Sequence, residues 1–308
     1  MRAAFVRTLT ELAEQDPRIL LLTGDLGYMA LEPFSEKFPE RFFNVGVAEQ
    51  NMVGLATGLA EAGFIPFVYS IVPFAVLRAY EFIRNGPIVH RLPVRIVGMG
   101  GGLEYGINGI SHYGLEDVGV LRVQPDITLI CPADHEQTRT ALLATWDLPD
   151  PVYYRLGKDD KTTVPGLDGR FELGRAQMIG QGTDLLFITM GSVAGEVASA
   201  VGALAPRGIS CTVMVIASIN PPPLEDLVQV LSRFRAVLTV EAHYIVGGLG
   251  SLVSEVIAER DLRCRLIRCG VKTTPNGISG SQSYLYRSYG LSSEMLTATA
   301  LQLVQQTH

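Results

Sequence analysis

Glu49 is the residue of this chain best placed to do chemistry. It stands in Asn44-Val45-Gly46-Val47-Ala48-Glu49-Gln50-Asn51-Met52, at the start of a Gly- and Ala-rich apolar segment, Val53 to Ala62, that reads as a buried helix. A carboxylate there is costly unless a partner satisfies it, and an acid held in a dry pocket can give or take a proton. The plainer alternative is an acid favoured in a first helical turn by the helix dipole. His112 closes Gly109-Ile110-Ser111-His112. An imidazole after such a loop is open to a ligand and can donate to a developing alkoxide, or it serves the loop itself. Other chemistries find no support. The run Gly98 to Gly102 lacks the G-x-G-x-x-G spacing of a dinucleotide site, and no Walker-type phosphate loop occurs. The four cysteines, Cys131, Cys211, Cys264 and Cys269, form no CxxC pair and no metal-ligand spacing. They read as reduced, buried thiols of a cytoplasmic protein.

Short apolar runs alternate with helical patterns and must position these groups. Ile19 to Thr23 reads as a buried parallel strand closed by Gly24-Asp25, and Asp25 thus lies where ligands bind in open α/β sheets, or caps the loop. Phe42 to Val45, Phe64 to Tyr69, Val94 to Val97, Ile127 to Cys131 and Val152 to Arg155 read as further strands, with helices at Ala3 to Glu14, Phe34 to Phe38, Phe74 to Arg84 and after Asp134. A second block repeats the alternation from Leu185 to the terminal helix, Glu294 to Gln306. The fold class is α/β with two doubly wound domains: residues 1–160, a linker over 161–180, and residues 181–308. The chain has 308 residues, 47% hydrophobic and only 18% charged, which suggests a surface partly covered by partners. With net charge −6 and no Lys/Arg block, nucleic acid is not an expected partner. No apolar run reaches the roughly 18 residues of a membrane span.

Five segments in order resemble the C-terminal half of transketolases, and most closely the small subunit of split transketolases: FFNVGVAEQNMVGLATGLA (42–60), RAYEFIRN (78–85), GINGISHYGLEDVGVLR (106–122), ITLICPADHEQ (127–137) and EAHYIVGGLGSLVSEVIAE (241–259). The resemblance implies a pyrimidine-binding domain followed by a transketolase C-terminal domain. It implies that Glu49 hydrogen-bonds a ring nitrogen of the aminopyrimidine of thiamine diphosphate, promoting the tautomer that takes the thiazolium C2 proton. Phe74 matches the aromatic that stacks on that ring, Ile71 stands where many relatives have another aromatic, and Asp25 lies near the cofactor. His112 matches a histidine that reaches the substrate oxygen. Arg155 and Arg2 match phosphate-binding arginines, whose forked guanidinium suits a phosphate.

Several substrate positions depart from the family. Asn108 replaces an acid, and Gly100, Ile107, Tyr113 and Met29 replace His, Glu, Gln and Ser. That pattern implies a retained cofactor site with an altered ketose donor, modified or unphosphorylated. The family's diphosphate and Mg²⁺ motif has no counterpart, since Gly24-Asp25-Leu26 lacks the third glycine. The Mg²⁺ ligands are therefore expected on a larger partner subunit, in an α2β2 assembly that moves a two-carbon ketol unit to an aldehyde. The competing readings are the β subunit of a 2-oxoacid dehydrogenase and a non-catalytic scaffold of the same fold.

Overall fold

The computed structural model describes residues 1–307. In chain order the strands are β1 Ile19–Thr23, β2 Phe42–Asn44, β3 Ile65–Ile71, β4 Arg95–Met99, β5 Thr128–Ile130, β6 Val152–Leu156, β7 Gln177–Ile179, β8 Leu185–Thr189, β9 Cys211–Val215, β10 Ser218–Asn220, β11 Ala236–Tyr244 and β12 Arg265–Val271. They form a seven-stranded sheet, β10-β5-β6-β4-β3-β1-β2, and a five-stranded sheet, β12-β11-β8-β9-β7. Every pairing is parallel except two at sheet edges, β10 with β5 and β7 with β9. Parallel strands covered on both faces need apolar residues on both sides, and β1, β3, β4, β6, β8 and β9 are buried along their whole length.

The first sheet carries helices Arg2–Gln15 and His135–Thr145 on one face and helix Glu49–Glu61 on the other. The hydrophobic core on the Glu49–Glu61 side runs on into the second domain, from Leu22, Val53 and Tyr153 to Ile188, Ile216 and Leu249. Asp134 caps its helix as the sequence suggests, accepting from the Gln137 N–H at 2.8 Å.

Three departures from the sequence reading matter. Strand β10 lies beyond the expected domain boundary yet completes the edge of the first sheet. The expected linker contains β7, and its Val164 and Leu167 are buried in the second domain's core. The helix expected over Phe74 to Arg84 is instead a π-helical turn, Phe74–Arg78, then a short α-helix, Tyr80–Ile83, then a second π-helical turn, Arg84–Ile88. Pro87 in that last turn has no N–H to donate, which breaks the regular ladder.

Candidate active site

Glu49 opens the helix Glu49–Glu61 and is wholly buried. Its hydrogen bonds run across the site: Oε1 accepts from Ser70 Oγ at 3.0 Å and Oε2 from Arg78 Nη1 at 2.6 Å. The carboxylate thus stands in the first turn of its helix and is directed at β3 and the π-helical turn. Gly24 lets it sit close to the end of β1, since a Cβ there would lie 3.3 Å from Oε1. The Arg78 guanidinium lies over the Phe74 ring, 4.4 Å from its centroid. Phe74 meets His112 edge-on at 5.1 Å, His112 lies 6.1 Å from the Tyr105 ring, and Lys158 Nζ stands 4.2 Å from the Tyr105 centroid. Glu49, Arg78, Phe74, His112, Tyr105 and Lys158 therefore form one row along the carboxyl ends of β1, β3, β4 and β6, where open α/β sheets bind ligands.

The remaining expected residues divide. Asp25, at φ 58°, stands in the loop after β1 and accepts from Asn44 Nδ2 at 2.8 Å and Tyr28 OH at 2.7 Å. Those hydrogen bonds, Asn44 first, hold its carboxyl below the usual range. Asn44 Oδ1 also accepts from the Asp25 and Gly46 N–H groups, which fixes the loop leading to Glu49. Ile71 ends β3, buried, and by strand alternation stands on the face opposite Ser70. Asn108 and Ile107 are exposed in the 3₁₀ turn before His112, and Ser111 Oγ lies 3.0 Å from His112 Nδ1. Tyr113, at the place of a family Gln, serves structure: its hydroxyl donates to the Gly106 and Ile278 carbonyls and ties the loop to the second domain. Arg2 is half-buried and lines a cavity of about 490 Å³ with Arg7 and Met29.

Arg155, expected from the resemblance to bind a phosphate, is held in the structure by groups of the protein itself. It is 4% exposed. Its Nε donates to Asp117 Oδ2 at 2.8 Å, and its Nη2 to the Gly114 and Ala242 carbonyls at 2.8 and 2.9 Å. Burial works against its charge, but Asp117, together with Cys131 and Tyr153, outweighs that and holds the guanidinium pKa above its ordinary value. The guanidinium is thus held by Asp117 and by one carbonyl from each domain.

The structure also adds groups that the sequence reading missed. Lys158 reads from sequence as part of the loop that follows β6, yet its backbone N–H is pinned by Glu104 and its ammonium reaches the row. Tyr105 accounts for Gly100: at φ 76°, a Cβ on Gly100 would run into the Tyr105 ring. His243 and Glu241 are structural. His243 Nδ1 lies 2.6 Å from the Tyr244 carbonyl, and its Nε2 accepts from the Gly119 N–H at 3.3 Å; burial lowers its pKa. Glu241 accepts from the Leu249 and Gly250 N–H groups at the start of helix Leu249–Glu259, and burial pushes its carboxyl up to about 7.

The transketolase pyrimidine-binding domain matches residues 1–162, and the transketolase C-terminal domain matches residues 174–296. The chain belongs to the transketolase family. It is 34% identical to a subunit of the apulose-4-phosphate transketolase of Phocaeicola vulgatus, covering 99% of this chain and 97% of that one. It is 32% identical to a 6-deoxy-6-sulfo-D-fructose transketolase subunit of Clostridium sp., covering 99% and 95%. Among solved structures it is similar to a split gene transketolase, described as an inactive β4 tetramer, with TM-score 0.88, 34% identity and coverage of 100% and 98%. The chain is a transketolase-type transferase subunit of the split kind, and the family implies dependence on thiamine diphosphate. These relatives favour that reading over a dehydrogenase subunit or a scaffold. Among the described residues no helix is long and apolar enough to cross a membrane.

Proposed function

We propose that this chain provides the aminopyrimidine side of a thiamine diphosphate site in a two-subunit ketol transferase. The observation that carries the reading is the wholly buried Glu49 carboxylate, held by Ser70 and Arg78 next to the Phe74 ring. A flat heteroaromatic with a ring nitrogen suits that pair of groups, one to hydrogen-bond and one to stack. Thiamine diphosphate supplies the nucleophilic carbon that breaks and re-forms the C–C bond. Glu49 holds the proton at the ring nitrogen, and Phe74 sets the plane of the ring. Ser111 engages His112 Nδ1, which leaves Nε2 for a substrate oxygen. Among the described residues no group of three or more His, Cys, Asp and Glu side chains is placed to hold a metal ion. The Mg²⁺ and diphosphate ligands are assigned to a larger partner subunit in an α2β2 complex, consistent with relatives that are themselves called subunits.

The substrate reading is a ketose with an anionic end and fewer or altered hydroxyls. Asn108, Gly100, Ile107 and Met29 remove charge and hydrogen bonds where the family reads a ketose phosphate, while Lys158, with Arg2 beyond Tyr105, supplies positive charge at the far end of the row. The names of both relatives specify a sugar that carries a phosphate or a sulfo group, in keeping with such an end. A donor screen of the complex tests this. Modified anionic ketoses are expected to outperform xylulose 5-phosphate. Lys158→Met is expected to raise KM for anionic donors about tenfold, the size of one charge-assisted contact, and to leave neutral donors unaffected. Preference for xylulose 5-phosphate over every other donor, or an equal effect of Lys158→Met on neutral and anionic donors, would contradict it.

A further inference from the structure

Arg78 stands where an incoming ring would have to lie. Its Nη1 donates to Glu49 Oε2 at 2.6 Å, and the same guanidinium covers the Phe74 face at 4.4 Å. A guanidinium is planar and carries N–H donors. It therefore meets, with one group, the two demands that an aminopyrimidine makes of this pocket: a nitrogen toward the carboxylate and a flat surface on the aromatic. The two partners differ in exposure. Glu49 is wholly buried, whereas the Arg78 side chain is 37% exposed and ends the π-helical turn Phe74–Arg78. The long Arg stem can carry its head into water without moving the backbone, and Glu49 cannot follow.

We propose that Arg78 is a displaceable occupant of the pyrimidine pocket. In the cofactor-free chain it neutralises Glu49 and covers Phe74, so that neither a buried charge nor an apolar face is left bare. When the ring enters, Arg78 leaves both, and Glu49 exchanges one N–H donor for another. Ser70 Oγ, bonded to the other carboxylate oxygen, keeps Glu49 in place during the exchange. Cofactor binding is then a competition, and Arg78 sets its affinity and its rate. The proposal rests on the reading of Glu49 and Phe74 as the pyrimidine pocket.

The test uses the reconstituted two-subunit complex, with thiamine diphosphate and Mg²⁺ titrated by calorimetry and mixed by stopped flow. Arg78→Met keeps the apolar stem and removes the donors. It is expected to tighten binding about tenfold, the contribution of one charge-assisted hydrogen bond, with most of the change in the association rate. Arg78→Lys keeps a charge for Glu49 but lacks the flat face, so it is expected to bind several-fold tighter than wild type; it decides the matter if Arg78→Met does not assemble. Glu49→Gln is expected to weaken binding. Affinity equal to or weaker than wild type in the Arg78 variants, with Glu49→Gln still weakening it, overturns the occupant role and leaves the pocket standing. Affinity unchanged by Glu49→Gln overturns the pocket and the occupant together.

Discussion

Replacing Glu49 by Gln is expected to lower the turnover of the assembled enzyme by at least about 100-fold, the lower end of general acid–base contributions. Gln has the shape of Glu, and its amide oxygen can still accept from Ser70 Oγ, so the helix Glu49–Glu61 keeps its place. What is lost is the carboxyl proton that must shuttle to and from a ring nitrogen. Arg78 loses its anion, but its side chain is 37% exposed and water can take over, so stability and assembly should change little. Steady-state kinetics on an assembled complex of normal melting temperature would show the loss in kcat. Turnover near the wild-type rate would remove Glu49 from the chemistry.

Arg155→Met is expected to be the most damaging single change to stability. Both partners of the Arg155–Asp117 pair are buried, at 4% and 1% exposure. Removing the arginine leaves Asp117 with only the Tyr153 hydroxyl, at 2.7 Å, while Asp117 Oδ1 already has no hydrogen-bond partner. Breaking a buried pair in this way costs about 3–5 kcal/mol. For a chain of this size that corresponds to a fall of roughly 10 °C in melting temperature, at about 2–4 °C per kcal/mol. The links to Gly114 and Ala242 are lost as well, so the seam between the domains should loosen first. A double variant, Asp117→Leu with Arg155→Met, should recover part of the loss because no buried charge is left unpaired. Differential scanning calorimetry reads all three proteins. A change below about 1 kcal/mol in Arg155→Met would mean that the pair is better hydrated than its burial indicates.

The alternating architecture was legible because each central strand is an apolar run bounded by turn residues: Ile19 to Thr23 and Leu185 to Thr189 can be read at sight, and Asp134 announces the helix it caps. Glu49 was legible for the same reason, as an acid at the head of an otherwise apolar helix. Strand β10 was not, because three residues carry no periodicity and its pairing with β5 exists only once the domains have docked. Arg155 shows the limit for single residues. An arginine near the end of a strand looks the same whether its anion is a ligand or an aspartate 38 positions away. Conversely, Lys158 begins a stretch of charged and loop-forming residues, and only the three-dimensional placement of Tyr105 shows that its ammonium joins the site. Arg78 was visible as part of a family segment, but the wide π-helical turn that sets its guanidinium on Phe74 has no sequence pattern of its own.

The division of the cofactor site between two chains is tested most directly by titrating thiamine diphosphate and Mg²⁺ into this chain alone, and then into the same chain with a larger subunit carrying the diphosphate and metal motif. Glu49 and Phe74 by themselves offer a hydrogen bond and a stacking face, and among the described residues no group of three or more His, Cys, Asp or Glu side chains is placed to hold a metal ion. Calorimetry is therefore expected to show no tight binding to the chain alone and strong, Mg²⁺-dependent binding once the partner is present. Micromolar binding to the isolated chain would contradict a divided site.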